Sequence, residues 1–174
     1  MKKLWLIVLC VVSFSALARG DGPTLATSAI IEVYNQETKE LKGIILIERG
    51  KAPWGMALPG GHVESGETIE QAIRREMREE VHLELEDLAF FGYYDDPKRD
   101  PRKHVVEMTW TAKTFSEPKA GDDAAKVFIF PLKEIPFDQM AFDHGLILKD
   151  YLKRFNKLGI FEEAAGSSSG PNSQ

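Results

Sequence analysis

The sequence predicts a single domain of the α/β (α+β) class, a β-sheet layered with two helices. Three observations carry this. Short apolar, β-branched segments recur between turn signals from Leu25 to Phe130. Two longer stretches, one after Thr68 and one from Asp143, place their apolar residues at the helical period instead. At 174 residues, 43% of them hydrophobic and 28% charged, the chain can bury one ordinary core and leaves little room for a second.

Residues 1–18 read as a secretory signal rather than as part of that fold. Lys2 and Lys3 form a basic start, Leu4 to Val12 is an unbroken apolar run, and Ala16-Leu17-Ala18 has the small-residue pattern of a cleavage site. A membrane anchor is the competing reading, but the apolar stretch is short for a bilayer crossing. The expectation is therefore a periplasmic or secreted protein beginning at Arg19, with no stable membrane association after cleavage; an unused signal would leave it in the cytoplasm. The single cysteine, Cys10, lies in this segment, so the mature chain would hold no thiol for disulfides, thiolate metal sites or nucleophilic catalysis. Residues 19–24 read as a linker, 25–163 as the folded domain, and 164–174, small and polar, as a disordered tail.

Within the domain, Leu25–Tyr34 and Leu41–Ile47 predict a hairpin around the polar turn Asn35–Glu40. Gly50–Gly61 predicts a loop, because glycine and proline recur through it and it ends in Leu58-Pro59-Gly60-Gly61. Leu83–Tyr94 predicts one or two strands, Asp95–Lys103 a charged loop, His104–Phe115 a long strand and Lys126–Phe130 a short one. Asp143–Leu158 predicts a helix with its apolar face on Leu146, Ile147, Tyr151, Leu152 and Phe155, capped by Asp143 and stopped by Gly159.

The helix after Thr68 carries the chemistry. Thr68 and Gln71 form a capping box. Counting about 100° per residue from Ile69, the apolar stripe of Ala72, Ile73 and Met77 lies at about 300°, 40° and 80°. Glu76 and Glu80 fall inside it at about 340° and 20°, and Glu79 on its edge at about 280°. Ordinary surface acids belong on the other face. These three also crowd the negative end of the helix dipole, and Glu76 and Glu80 repel each other at i,i+4. Buried carboxylates need a counter-charge. Arg75 reaches Glu79 but would not satisfy all three, whereas a hard divalent cation would: Mg²⁺ first, Mn²⁺ as a substitute.

The run Gly61-x5-Glu67-x7-Arg75-Glu76-Met77-x-Glu79-Glu80-x-His82-Leu83 resembles the Nudix box, G-x5-E-x7-R-E-U-x-E-E-x-G-U, where U is bulky and apolar. The spacing has no gap, and one specified position departs: His82 stands where the family has glycine. Trp54-Gly55-Met56-Ala57-Leu58-Pro59-Gly60 is similar to the family's lead-in. The box position usually takes a left-handed backbone, which histidine tolerates better than most residues, so local strain at the helix exit is expected. The resemblance implies a mixed β-sheet sandwiched between helices and Mg²⁺-dependent hydrolysis of a phosphoanhydride. It further implies Glu76 and Glu80 as metal ligands, Glu79 as a ligand or water-positioning base, and the Gly60 carbonyl as a further donor. Glu67 would hold the loop and Arg75 would orient the glutamates. A later acid often supplies the base in the family; Asp122 and Asp123 are candidates, with a plain surface turn as the competing reading.

Outside the box, the segments Tyr94–His104, Lys119–Asp123 and Ala141–His144 resemble the ADP-ribose pyrophosphatase-like branch, whose products are AMP and ribose 5-phosphate. Arg99, Arg102 and Lys103 would then meet phosphates or the terminal sugar; alternatively the loop folds on itself or braces a homodimer. Tyr94 or Phe91 would stack on a base or serve the core. A net charge of −5 excludes general affinity for nucleic acid. The expected partner is a small nucleoside diphosphate compound, ADP-ribose or, as the alternative, a nucleotide sugar. Triphosphate hydrolysis and non-catalytic ADP-ribose binding stand further back.

Overall fold

A computed structural model describes residues 22–85, 87–121 and 124–155. The predicted signal segment, the linker up to Asp21, the tail, residues 156–163 and the candidate bases Asp122 and Asp123 lie outside the described residues.

A seven-stranded mixed sheet organises the domain. Its central strand, β1 (Thr24–Tyr34), runs parallel to β6 (Val105–Thr114) along almost its whole length. β5 (Ala89–Tyr94) pairs antiparallel with β6 at the sheet edge. On the other side β1 meets β2 (Leu41–Arg49), which in turn pairs with β7 (Ala124–Phe130). Two helices cover the sheet, α1 (Ile69–Val81) on one face and α2 (His144–Arg154) on the other. None of the described helices is long and apolar enough to cross a membrane.

Why both faces are covered follows from β1 and β2 themselves. Their central residues are apolar at every position rather than at alternate ones, the pattern of a strand buried on both sides. Ala29, Ile31, Val33, Ile45 and Ile47 pack against Ile73, Met77 and Val81 of α1. Ile30, Ile44 and Leu46 point the other way, onto Ile147, Leu148, Tyr151 and Leu152 of α2. Each such fully buried side chain contributes about 1.5–3 kcal/mol of transfer free energy. One acid interrupts the α2 face: Glu32 is buried, and it accepts hydrogen bonds from Tyr151 Oη at 2.6 Å and Tyr34 Oη at 2.7 Å.

The sheet forks, and the fork positions the site. β1 and β2 are in register only from Glu32/Ile44 to Tyr34/Leu41. Toward its N-terminus, β1 gives that edge to β4 (Gly60–His62), while β2 pairs with β3 (Met56–Ala57). A cleft opens where the strands part. The predicted loop Gly50–Gly61 therefore contains two very short strands, too short to show any periodicity.

One further expectation is narrowed and another corrected. Leu83–Tyr94 holds one strand, which starts only at Ala89; Leu83 and Leu85 precede it and plug the α1-side core. In α2 the buried face is His144, Ile147, Leu148, Tyr151 and Leu152, whereas Leu146 and Phe155 are exposed. Asp143 occupies the N-cap position but makes no capping bond, because its carboxylate is engaged elsewhere.

Candidate active site

α1 begins as its sequence requires. Thr68 accepts from the Gln71 N–H, and Gln71 reaches back to the Thr68 N–H, completing the capping box. The helix ends at His82, whose φ of 54° and ψ of 40° are left-handed. The strain expected from a histidine in the glycine position is thus present, and a contact from its Nδ1 to the Lys119 carbonyl at 3.2 Å helps to hold it.

Between these ends α1 presents its acids to the cleft. Glu80 is buried at 8% exposure, and its Oε2 accepts the Gly60 N–H at 2.7 Å. The Glu76 side chain is 13% exposed and lies so close to the β4 backbone that a Cβ on Gly61 would overlap its Oε1. A side chain at position 61 would therefore displace the Glu76 carboxylate. Burial pushes the Glu76 carboxyl pKa up; Arg75 opposes the shift, and Glu79 and Glu67 add to it. Gly60 enters the site through its N–H, and its own positive φ of 153° lets β4 approach Thr27 without a side chain in the way.

Arg75 is the organiser. Its guanidinium donates to Glu67 at 2.8 Å, to Glu76 at 2.8 Å, to Glu79 at 3.0 Å and to the His62 carbonyl at 3.0 Å. One arginine therefore spans three carboxylates, but only two of the three acids in the C-terminal half of α1; Glu80 is reached by the Gly60 N–H instead. The Arg75 bond and the Glu64 N–H hold Glu67 below the usual carboxylate range. Glu79 sits on the outer flank of the helix, its side chain 55% exposed, and does not line the cleft. Beyond the helix, Lys119 and Gly121 donate to the Val81 and Glu80 carbonyls at 3.0 Å and 2.9 Å. This segment, which leads to Asp122, thus docks on the C-terminal turn of α1.

The opposite wall is a buried ionic network. The Arg99 side chain is 2% exposed and forks onto Asp143, with Nε–Oδ2 at 3.0 Å and Nη2–Oδ1 at 2.5 Å, and its Nη2 also meets Glu107 at 2.9 Å. Ser28 Oγ donates to the other Glu107 oxygen. His144 Nδ1 accepts the Leu58 N–H at 2.9 Å, which places the ring proton on Nε2, 3.5 Å from Glu107. Burial alone would raise the Glu107 pKa; the His144 ring, Arg99 and Ser28 outweigh it and bring it down to about 2. Arg99 thus lines the cleft as a brace, with its guanidinium already spoken for.

At the mouth stand Arg49, Lys51, His62, Arg102 and Phe142. Arg102 pairs with Asp100 through Nε at 3.0 Å and Nη2 at 2.8 Å, so the 95–103 loop both folds on itself and reaches the cleft. Lys103 lies outside the lining but raises the positive potential at His62. Phe91 is buried against Tyr151, and Tyr94 bonds Asp150, so neither offers a ring to a ligand. Ser28, Arg49, Lys51, Glu107, Phe142 and His144 were not singled out individually from the sequence. His144 does lie in the Ala141–His144 segment that resembled the ADP-ribose branch.

A cleft of about 380 Å³ with an acidic floor and a basic mouth suits a small phosphate ester. Residues 23–151 match the family description "NUDIX domain". The chain belongs to the NUDIX family. It is 41% identical over 134 residues to the ADP-ribose pyrophosphatase of Methanocaldococcus jannaschii, spanning 75% of this chain and 74% of that relative. It is 42% identical over 69 residues to the nucleoside triphosphatase NudI of Escherichia coli, covering 36% of this chain and about half, 49%, of that protein. Among solved structures it is similar to a MutT/nudix family protein from Enterococcus faecalis, with a TM-score of 0.69 and 28% identity over 81% of this chain and 65% of that one.

As a Nudix pyrophosphohydrolase the protein needs a divalent metal ion, and its residues fit one. Glu76 and Glu80 are hard oxygen donors, both withdrawn from water on one side of the same cleft. Among the described residues no three acidic or histidine side chains gather into a ready-made cage. A divalent ion held by one or two carboxylates keeps positions for water and substrate phosphate. Such an ion, when bound, screens the diphosphate and acidifies its water. The chain's own part is to orient those carboxylates, Glu76 through Arg75 and Glu80 through the Gly60 N–H, with the Gly60–Gly61 backbone beside them.

Proposed function

We propose that the protein hydrolyses the pyrophosphate bond of ADP-ribose to AMP and ribose 5-phosphate, with Mg²⁺ as the metal and Mn²⁺ as its substitute. The observation that carries this reading is the 41% identity to an ADP-ribose pyrophosphatase over three quarters of both chains. The cleft supports it: acids of α1 and the cationic Arg102 line the same cleft, a combination that suits a metal-bound diphosphate. In this reading Glu76 and Glu80 hold the metal, and Arg75 and Glu67 orient them. Water attacks one phosphorus, the bridging P–O bond breaks, and the water proton passes to a carboxylate. Glu79, tethered by Arg75 yet open to solvent, is the described acid best placed to release that proton onward. Arg102 faces the phosphates, Lys103 adds to the positive field beside the cleft, and Arg99 braces the wall behind them. The alternative, a nucleotide sugar as substrate, uses the same residues.

The test is phosphate and AMP release across ADP-ribose, nucleotide sugars, dinucleoside polyphosphates and nucleoside triphosphates. ADP-ribose or a nucleotide sugar is expected to show a higher kcat/KM than any triphosphate. A clear preference for triphosphates, the chemistry named for NudI, would refute the assignment.

We further propose that the reaction takes place outside the cytoplasm, on the strength of Lys2-Lys3, the apolar run and Ala16-Leu17-Ala18. Expressed at full length in a Gram-negative host, the protein is expected in the periplasm with Arg19 as its first residue. Cytoplasmic protein with residues 1–18 intact would contradict export.

A further inference from the structure

Phe142 is out of place by every local rule. It is a bulky residue with a φ of 55°, in the left-handed region that glycine or asparagine normally fills. It lies at the mouth of the cleft rather than in either core. Its neighbours explain how the conformation is enforced: Asp143 is tied to Arg99, and His144 to Leu58, so the backbone on its C-terminal side is held by two long-range contacts. Backbone strain kept in this way at a site points to a use for the side chain.

The use is visible in what the ring touches. The Arg49 guanidinium carbon lies 4.6 Å from the ring centroid and that of Arg102 5.2 Å from it. Arg49 ends β2 and Arg102 belongs to the 95–103 loop, so one ring gathers two cations from distant parts of the chain. Like charges repel, and a cation over an aromatic face gains back part of that cost. Each guanidinium is also fixed on its other side, Arg49 Nε to the Pro53 carbonyl at 2.7 Å and Arg102 to Asp100. With two guanidiniums already on it, the ring is not a platform for a nucleobase. Lys51 and Lys103 add to the positive field nearby, which together with burial depresses the His62 pKa.

We infer that Phe142 is a positioning residue for substrate binding: its ring holds Arg49 and Arg102 as a clamp for the diphosphate in the cleft that the acids of α1 also line. The inference rests on reading the site as one that hydrolyses a diphosphate. It does not depend on which diphosphate.

The experiment measures KM, kcat and melting temperature for the full chain and its Phe142→Leu, Phe142→Trp and Phe142→Gly variants. Phe142→Leu is expected to raise KM about tenfold with kcat within about twofold, and Phe142→Trp to restore KM, because only an aromatic face holds the guanidiniums. Phe142→Gly relieves the left-handed strain, so it is expected to melt no lower than wild type and still to raise KM as leucine does. In an Arg102→Met background, Phe142→Leu should raise KM by less than it does alone. An unchanged KM in Phe142→Leu, or a KM that tracks melting temperature across the three variants, would overturn the inference. If the wild type prefers a compound other than ADP-ribose, the substrate assignment falls, and the same comparison on the preferred compound still decides the role of Phe142.

Discussion

Glu80→Gln is expected to lower kcat by roughly 10³-fold, the scale of several kcal/mol that metal charge stabilisation contributes to phosphoryl chemistry. The substitution is nearly isosteric, and an amide oxygen can still accept the Gly60 N–H that Glu80 now receives at 2.7 Å. What disappears is the negative charge on a carboxylate that is 8% exposed and faces the cleft. A circular dichroism spectrum and a cooperative melt like those of wild type would locate the loss in chemistry rather than folding. An acid serving only in structure predicts near-normal turnover instead.

The second large effect is on stability. Arg99→Met removes the cation from between Asp143 and Glu107, leaving two acids in a place where the arginine side chain is 2% exposed. Removing one partner of a buried pair costs about 3–5 kcal/mol. In a domain of this size that corresponds to a fall in melting temperature of roughly 10–20 °C. The loss has a pH signature. Glu107 is held at about 2, below its ordinary 4.5, so its ionised form adds stability that is complete above pH 4.5 and is lost as the pH falls toward 2. Without Arg99 the Glu107 carboxyl titrates higher, so the gap between variant and wild type is expected to be widest near neutrality and to narrow below pH 4.5. Arg99→Lys should rescue poorly, because a point charge cannot reproduce the two-pronged contact with Asp143. A methionine variant that melts with the wild type at pH 7 would show that the network contributes nothing.

The local parts of this account were legible in the sequence, and the long-range parts were not. The capping box, the left-handed exit at His82 and the placement of Glu76 and Glu80 on the core side of α1 all follow from residues within one helix. The near-continuous apolar runs of β1 and β2 likewise announced strands. By contrast, Asp143 looked like a helix cap because nothing nearby reveals Arg99, 44 residues away. His144 showed no local sign of its bond to the Leu58 N–H, 86 residues away. Those two pairings decide that Arg99 braces the wall and that the loop before the Nudix box is anchored to α2. The exposure of Glu79 is a smaller case of the same kind. A wheel of equal angles puts it on the edge of the stripe, but Arg75 ties it to the solvent side. The strands β3 and β4, two and three residues long, are set by pairing with β2 and β1 and carry no signal of their own.

The central claim is that Glu76 and Glu80 exist to hold a metal ion, and paired thermal melts test it without any choice of substrate. In EDTA, Glu80→Gln is expected to melt at or slightly above wild type, because one of two like charges at i,i+4 is gone, a gain of about 0.2–0.5 kcal/mol. With Mg²⁺ at about a hundred times its dissociation constant, wild type gains about 2.7 kcal/mol, and the variant gains much less. The order of the two melting temperatures therefore reverses between EDTA and Mg²⁺. Parallel curves, with Mg²⁺ shifting both proteins equally or neither, would contradict the account.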